Sequence, residues 1–168
     1  SNISEDVYKK VIFKKTAILF DTAAKIGAII AESQTGHIES LSNYGRNIGM
    51  AFQLMDDVLD YNADADQLGK NIGDDLAEGK PTLPLIYAMQ HGSEHQTQLI
   101  RDAIEHCNGM EHLDEILAAL KHTNALEFTM QKAEQEAEKA IACLDCLAES
   151  SYKQALISLA RIAVDRDH

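Results

Sequence analysis

The 168-residue sequence contains no tryptophan, and aromatic residues make up only 5% of it. Alanine, leucine, isoleucine, glutamate, glutamine and lysine dominate instead, which favours helices over β-sandwiches and β-barrels. Proline occurs only at Pro81 and Pro84, so long helices can run uninterrupted on either side. The composition therefore predicts an all-α fold. Because no repeat, low-complexity segment or flexible linker is visible, we expect a single domain over residues 1–168.

Cysteine is also scarce, with three residues in the chain, which is too few for a disulfide framework and typical of a reducing compartment. Cys143 and Cys146 form a C-x-x-C pair, but no second pair completes a zinc site. Packing within a helix is therefore favoured over metal or redox use. The apolar run over residues 26–31 is far too short to span a bilayer, and no basic leader precedes an apolar segment. These features predict a cytoplasmic protein without an integral membrane segment.

Positive charge is in short supply, because 15 Lys and Arg residues stand against 27 Asp and Glu residues and give a formal net charge of −12. Such a balance argues against nucleic acid or an anionic membrane surface as a partner. An acidic protein that binds phosphate groups needs a divalent cation between its carboxylates and the phosphates. The charge thus excludes nucleic-acid binding and leaves metal-assisted phosphate chemistry open.

Helical periodicity and capping signals divide the chain into segments. The pattern predicts helices over residues 4–33, 35–62, 82–91 and 110–122. Between the second and third of these lies an irregular stretch, residues 63–80, which is too long to be an incidental turn. Three further helices are expected to begin at capping boxes formed by Ser93 and Gln96, Asn124 and Glu127, and Ser151 and Gln154.

One basic side chain occupies an unusual place in the first predicted helix. A helical wheel puts Lys15 within the apolar stripe that contains Tyr8, Ile12 and Leu19, whereas the other lysines of this helix fall outside it. Lys15 is therefore predicted to point inward. A buried ammonium group is costly unless it is paired, so two interpretations stay open. Either the stem packs and the head reaches solvent, or the charge faces an anion in an interior cavity.

Three aspartates gather near the end of the second predicted helix. Asp56, Asp57 and Asp60 share one arc of the helical wheel with Gly45 and Gly49. Aspartate is a poor residue for helix interiors, and Asp56 and Asp60 repel each other at i,i+4, so helix stability does not explain them. Carboxylates on one face suit a hard cation such as Mg²⁺, and the alternative is an acidic solvated face. The glycines predict that something bulky approaches this arc closely.

Glycines, lysines and carboxylates alternate in the stretch that follows. The sequence is GK at residues 69–70, GDD at residues 73–75 and GK at residues 79–80. Lysines beside metal-binding carboxylates suit a diphosphate, because the cations and the metal together match its negative charge.

Two motifs of the chain resemble those of the trans-prenyl (polyprenyl) diphosphate synthases. The second aspartate-rich region of that family matches FQLMDDVLD at residues 52–60, GK at 69–70, GDDL at 73–76 and EGKPTLP at 78–84. The lysine-threonine motif of the family matches Lys15-Thr16, with Tyr8 upstream. The resemblance extends from about Asp6 to the C-terminus.

This resemblance implies a helical bundle of the isoprenoid synthase type, of which the chain is the C-terminal part. It implies head-to-tail condensation of isopentenyl diphosphate with an allylic diphosphate, farnesyl diphosphate or a similar primer. In that reaction diphosphate leaves, an allylic cation forms and the isopentenyl double bond attacks it. The implied product is a long-chain prenyl diphosphate for the side chain of a quinone such as ubiquinone or menaquinone, and likeness alone suggests eight isoprene units.

The resemblance also implies a cofactor, Mg²⁺, and a role for each matching residue. Its candidate metal ligands are Asp56, Asp57, Asp60 and Asp74, and its candidate catalytic residues are Lys15, Asp56, Asp57 and Asp60. Its candidate diphosphate contacts are Lys15, Thr16, Gln53, Lys70 and Lys80. The family usually forms homodimers, so a second copy is an expected partner.

One departure separates this chain from the family. No Asp-Asp-x-x-Asp precedes Lys15, so the family's first aspartate-rich motif is absent. The chain is therefore expected to be a C-terminal half that needs the missing N-terminal half as its partner and is inactive alone. Two alternatives are a non-catalytic helical subunit of a heteromeric synthase and a terpene cyclase-like lyase. The Lys15-Thr16 pair and the EGKPTLP segment favour the elongating enzymes over the lyase.

Overall fold

The computed structural model describes residues 4–62 and 72–165. Within these ranges the chain forms helices and no strand, which confirms the all-α prediction. A π-helical segment, Phe13–Ala17, joins α1 to α2, and short 3-10 helices occupy Gly109–His112 and Cys143–Cys146. None of the described helices is both long and apolar enough to cross a membrane. In chain order the α-helices are α1 (Glu5–Ile12), α2 (Ile18–Ile30), α3 (Thr35–Leu59), α4 (Asp74–Ala77), α5 (Leu83–His91), α6 (Glu94–His106), α7 (Leu113–His122), α8 (Ala125–Ala142) and α9 (Ser151–Ile162).

The first predicted helix is interrupted by the π-helical segment. A π turn inserts backbone into the α-helical repeat, so the faces of α1 and α2 no longer line up. Tyr8 and Ile12 of the predicted apolar stripe are buried, whereas Leu19 is 68% exposed. The prediction of one continuous stripe is therefore wrong beyond Ile12, because the sequence pattern assumed an unbroken α-helical period.

Capping residues decide where two later helices begin. Ser93 caps α6 as predicted: its Oγ accepts a hydrogen bond from the Gln96 backbone N at 3.2 Å, and its own N donates to Gln96 Oε1 at 2.9 Å. Helix α9 is capped instead by Ser150, whose Oγ accepts from the Lys153 N at 3.1 Å. The predicted box at Ser151 is thus one residue out of place, since Ser150 is the extended residue before the helix.

The contacts within the chain divide it into two compact units, and the first comprises Ser1–Lys9 and Asp56–Met130. Helices α5, α6 and α7 pack together in this unit, with several alanines at their contacts. Gly79 follows α4 with φ 66°, and a Cβ there would lie 2.6 Å from the Ile104 carbonyl oxygen, so only glycine fits. The buried core consists of Tyr61, Leu76, Leu85, Ala88, Ile100, Ala103, Ile116, Ala119, Leu120 and Ala125.

The second unit comprises Lys10–Met55 and Gln131–His168. The Tyr44 hydroxyl donates to the Leu156 carbonyl oxygen at 2.9 Å, and burial raises the pKa of Tyr44 to about 12. Cys143 packs against the core of this unit, and both cysteines of the C-x-x-C pair are free thiols. The buried core consists of Tyr44, Ile48, Ala140, Leu144, Ala160 and Ala163. That the two units belong to a single domain stays a prediction.

Two glycines of α3 lie where neighbouring backbone comes very close. A Cβ at Gly45 would lie 2.3 Å from the Phe20 carbonyl oxygen, and one at Gly49 would lie 2.6 Å from the Ala17 Cα. The close approach predicted from these glycines is therefore made by α2 and the π-helical segment rather than by a ligand.

We expect Gly49→Ala to lower the free energy of unfolding by about 1–3 kcal/mol, because the added methyl group meets backbone that must move. Gly27→Ala is the matched control, since nothing lies within 4 Å of a Cβ at this helical position. It should raise the free energy of unfolding by up to about 1 kcal/mol, because alanine is the better helix former. Urea unfolding of both variants measures the difference, and similar effects at the two sites would contradict the close contact.

Candidate functional site

The predicted aspartates lie at the C-terminal end of α3 and just beyond it. Asp57 is 2% exposed, while Asp56 and Asp60 are half-buried. Asp60 receives two hydrogen bonds from the start of α4: the Gly73 N donates to its carbonyl oxygen at 2.8 Å, and the Asp75 N donates to its Oδ2 at 3.2 Å. Asp60 thereby fastens α4 beside the end of α3.

Like charges surround Asp60. Burial, and then the negative charges of Asp75, Asp74 and Asp57, raise the pKa of Asp60 to about 6. The hydrogen bond from the Asp75 backbone acts in the opposite direction and only partly offsets them. Asp74, predicted as a metal ligand from the loop, is thus brought within electrostatic range of Asp60. A cation bound at this cluster would relieve the repulsion.

A tyrosine of α1 reaches the buried Asp57. The Tyr8 hydroxyl donates to Asp57 Oδ2 at 2.6 Å, and Tyr8 is 5% exposed. Burial, and then the charge of Asp57, raise the pKa of Tyr8 far above its usual range, so the phenol keeps its proton and can donate. The sequence pattern puts Tyr8 in an apolar stripe and does not reveal this polar contact, since no local signal links residues so far apart in the chain.

Lys80 lies beside the carboxylates in an ion-paired state. Its Nζ is 2.7 Å from Asp75 Oδ1 and 2.8 Å from Glu78 Oε2. These two hydrogen bonds raise the pKa of Lys80 above its ordinary value. Lys80 is therefore a cation paired with Asp75 and Glu78, and a ligand would have to compete with these two carboxylates for it. Lys70, the other lysine predicted in this stretch, lies outside the described residues.

In the second unit, Lys15 and Thr16 belong to the π-helical segment. Lys15 is exposed, so the prediction that it points inward is wrong for this chain, because the π turn departs from the periodicity on which the prediction relied. The Thr16 hydroxyl donates to Gln53 Oε1 at 2.7 Å, and Gln53 is buried. Two of the predicted diphosphate contacts are thus in direct contact with each other.

A further polar group of this unit was missed by the sequence analysis. Asp21 is buried in α2, where its carboxylate accepts a hydrogen bond from the Ser42 hydroxyl and lies 3.4 Å from an Arg46 guanidinium nitrogen. The Arg46 guanidinium in turn stands 4.8 Å from the centre of the Phe13 ring. The sequence signal is weak, because a single aspartate in an apolar helix is compatible with either a buried or an exposed position.

The chemistry of the carboxylates in the first unit suits a cation that also binds phosphate oxygens. Among residues 4–62 and 72–165, no group of three or more His, Cys, Asp or Glu side chains is placed to hold a metal ion. Mg²⁺ that bridges to phosphate needs less, because one or two carboxylates suffice when phosphate and water oxygens complete its shell. Asp56 and Asp60 stand one helical turn apart and keep part of their surface accessible, so their donor oxygens suit such an ion.

Comparison with known proteins connects this arrangement to one family. The family model described as Polyprenyl synthetase matches residues 1–123. The chain is 53% identical over 166 residues to the octaprenyl diphosphate synthase of Escherichia coli (strain K12), a match that covers 99% of this chain and 51% of that protein. The chain thus spans about half the length of the curated relatives it matches.

Solved structures agree with that similarity. A polyprenyl synthase from Caulobacter crescentus CB15, complexed with calcium and isoprenyl diphosphate, matches with a TM-score of 0.91 and 38% identity, over 99% of this chain and 51% of that one. A geranylgeranyl pyrophosphate synthase from Corynebacterium glutamicum, complexed with isoprenyl diphosphate and magnesium, matches with a TM-score of 0.86 and 32% identity, over 97% of this chain and 47% of that one.

We expect Asp60→Asn to stabilise the metal-free chain at about pH 7 and to leave its stability nearly unchanged at about pH 4. The pKa of Asp60 in the folded chain, about 6, lies above the ordinary 3.8, so the folded state binds this proton more tightly than the unfolded state. The stabilisation from this group is therefore present at low pH and is lost as the pH rises towards about 6. Asparagine keeps an oxygen that can accept from the Asp75 N.

Urea unfolding with a chelator present, at several pH values, measures this effect. Glu134→Gln, on the exposed surface of α8, removes one negative charge elsewhere and controls for net charge. A difference between Asp60→Asn and the unaltered chain that is the same at both pH values would contradict the raised pKa.

Proposed function

We propose that this chain, which belongs to the polyprenyl synthetase family, is the C-terminal half of a Mg²⁺-dependent prenyltransferase that condenses isopentenyl diphosphate with an allylic diphosphate. The observation that carries the proposal is the cluster of carboxylates around Asp60, with the cationic Lys80 beside it. A solvated acidic face does not account for Asp57, which is 2% exposed, or for the pKa of Asp60, which burial and neighbouring carboxylates raise to about 6. The likeness to the octaprenyl enzyme suggests a long-chain product with eight isoprene units, used for a quinone side chain.

Mg²⁺ is the proposed cofactor, with Asp56 and Asp60 as its main ligands and Asp57 and Asp74 as further candidates. When bound, it supplies positive charge that offsets the charge developing on the departing diphosphate. The chain's own contribution is to orient the carboxylates, as the Asp75 N does for Asp60. The magnesium and calcium in the two solved relatives support a divalent cation.

Five further residues are proposed as contacts to the diphosphate groups. The Lys80 ammonium group, which pairs with Asp75, can pair with a phosphate oxygen instead, since both partners are anionic. Lys15, exposed in the second unit, offers an ammonium group, and the Thr16 hydroxyl and Gln53 amide offer neutral polar groups. Lys70 is proposed for the same role from the family resemblance alone.

The partner proposed for this half is the N-terminal half of the family fold, and the assembled enzyme is expected to be a homodimer. Helix α2 supports a partner that covers it, because several large apolar side chains are exposed along this one helix. These side chains are Ile18, Leu19, Ile26, Ile29 and Ile30. A terpene cyclase-like lyase would share the metal chemistry but would not incorporate isopentenyl diphosphate.

In the assembled enzyme, Asp56→Ala is expected to lower turnover by about 100-fold or more, because it removes a metal ligand. The helix itself should be preserved, since alanine is a better helix former than aspartate. Incorporation of labelled isopentenyl diphosphate, measured as a function of Mg²⁺ concentration, gives the result. Glu134→Gln is the control. An unchanged rate with unchanged Mg²⁺ dependence in Asp56→Ala would refute the metal assignment.

Residues 1–168 alone are expected not to elongate an allylic primer. One set of carboxylates can bind only part of the metal and diphosphate, so positioning and charge stabilisation, which together supply much of a barrier reduction of roughly 8 kcal/mol or more, stay incomplete. The measurement is product length after incubation of the purified chain with farnesyl diphosphate, labelled isopentenyl diphosphate and Mg²⁺. Sustained chain growth by the verified 168-residue chain would overturn the half-enzyme proposal.

The same assay, repeated with the N-terminal half of a family member added, distinguishes a catalytic half from a non-catalytic subunit of a heteromeric synthase. Restored elongation that is abolished by Asp56→Ala indicates a catalytic half. Restored elongation that tolerates Asp56→Ala indicates a non-catalytic subunit of a heteromeric synthase.

A further inference from the structure

The contact between Tyr8 and Asp57 joins two helices that are distant in sequence. The Tyr8 hydroxyl of α1 donates to Asp57 Oδ2 of α3 at 2.6 Å across a separation of 49 residues. Both side chains are almost completely buried, at 5% and 2% exposure. A short hydrogen bond to a carboxylate in a desolvated position is among the strong ones, and losing its donor removes a direct restraint on the buried carboxylate.

Asp57, the acceptor of this hydrogen bond, lies close to the carboxylates proposed to bind the cation. Asp57 follows Asp56 directly in α3, and its charge acts on Asp60. Repulsion among such groups favours side-chain rotations that spread the carboxylates apart. A phenol restrains Asp57 without bringing a competing positive charge into the site, whereas a lysine at the same place would compete with a metal ion. Asp57 is thereby held by the protein interior, while Asp56 and Asp60 keep accessible surface.

We propose that Tyr8 is a positioning residue of the acidic site, and that it acts by holding Asp57 as a buried anchor so that Asp56 and Asp60 keep the places required to bind a divalent cation. This inference rests on the proposed function, because it takes a divalent cation as the ligand of the cluster. It narrows the proposed ligand set, because it assigns Asp57 to the support of the site rather than to the metal itself. It also gives α1 a direct part in shaping the site.

The test compares two tyrosines that each lose one buried hydroxyl group. Tyr8→Phe removes the donor to Asp57, and Tyr44→Phe removes the donor to the Leu156 carbonyl oxygen in the second unit. Mg²⁺ is titrated calorimetrically into the complete natural chain, with inorganic pyrophosphate present. We expect Tyr8→Phe to weaken Mg²⁺ binding by about 10-fold, and Tyr44→Phe to leave it unchanged, even where both lower the melting temperature.

A second pair of variants keeps the proposal testable if Tyr8→Phe does not fold. Asp57→Asn retains an oxygen that can accept from Tyr8, and Asp56→Asn removes a proposed ligand. Asp57→Asn is expected to weaken Mg²⁺ binding much less than Asp56→Asn. Equal losses in these two variants, or equal Mg²⁺ affinities in Tyr8→Phe and Tyr44→Phe, would overturn the positioning role. An absence of Mg²⁺ binding in the unaltered chain would instead overturn the proposed function.

Discussion

Repulsion among carboxylates at the end of α3 is the interaction on which the candidate site depends. Burial and neighbouring charge raise the pKa of Asp60 to about 6. Hydrogen bonds and an ion pair from the surrounding groups partly offset that repulsion. The Asp75 backbone donates to Asp60, the Lys80 ammonium group pairs with the Asp75 carboxylate, and the Tyr8 hydroxyl donates to Asp57. A cation bound at this helix end would replace repulsion with attraction.

In the second unit, closely packed helices bring polar side chains into contact. Gly45 and Gly49 let α3 approach the backbone of α2 and the π-helical segment. At this short distance the Thr16 hydroxyl reaches the buried Gln53 amide. The Asp21 and Arg46 side chains link the same helices at another point. The π-helical segment is consistent with a functional role, since such insertions frequently occur at functional sites.

These features agree with the family to which the chain belongs. The matched relatives are about twice as long as this chain, so its carboxylates are proposed as one half of a larger site. The apolar residues exposed on α2 fit a surface that is covered in the assembled enzyme. The length of the matched relatives and the exposed apolar residues of α2 are two separate observations, and both support the proposal that this chain is a half that works with a partner.

The sequence by itself determined the helical class, the capping of α6 by Ser93, and the clustering of Asp56, Asp57 and Asp60, because these follow from composition and from spacings of three or four residues. Its motifs also identified the family. Only the tertiary structure decided that Lys15 is exposed, that the glycines of α3 serve helix packing, and that Tyr8 binds Asp57. The reason is physical: a π turn changes the helical period without a local sequence signal, and contacts across 49 residues depend on how helices pack.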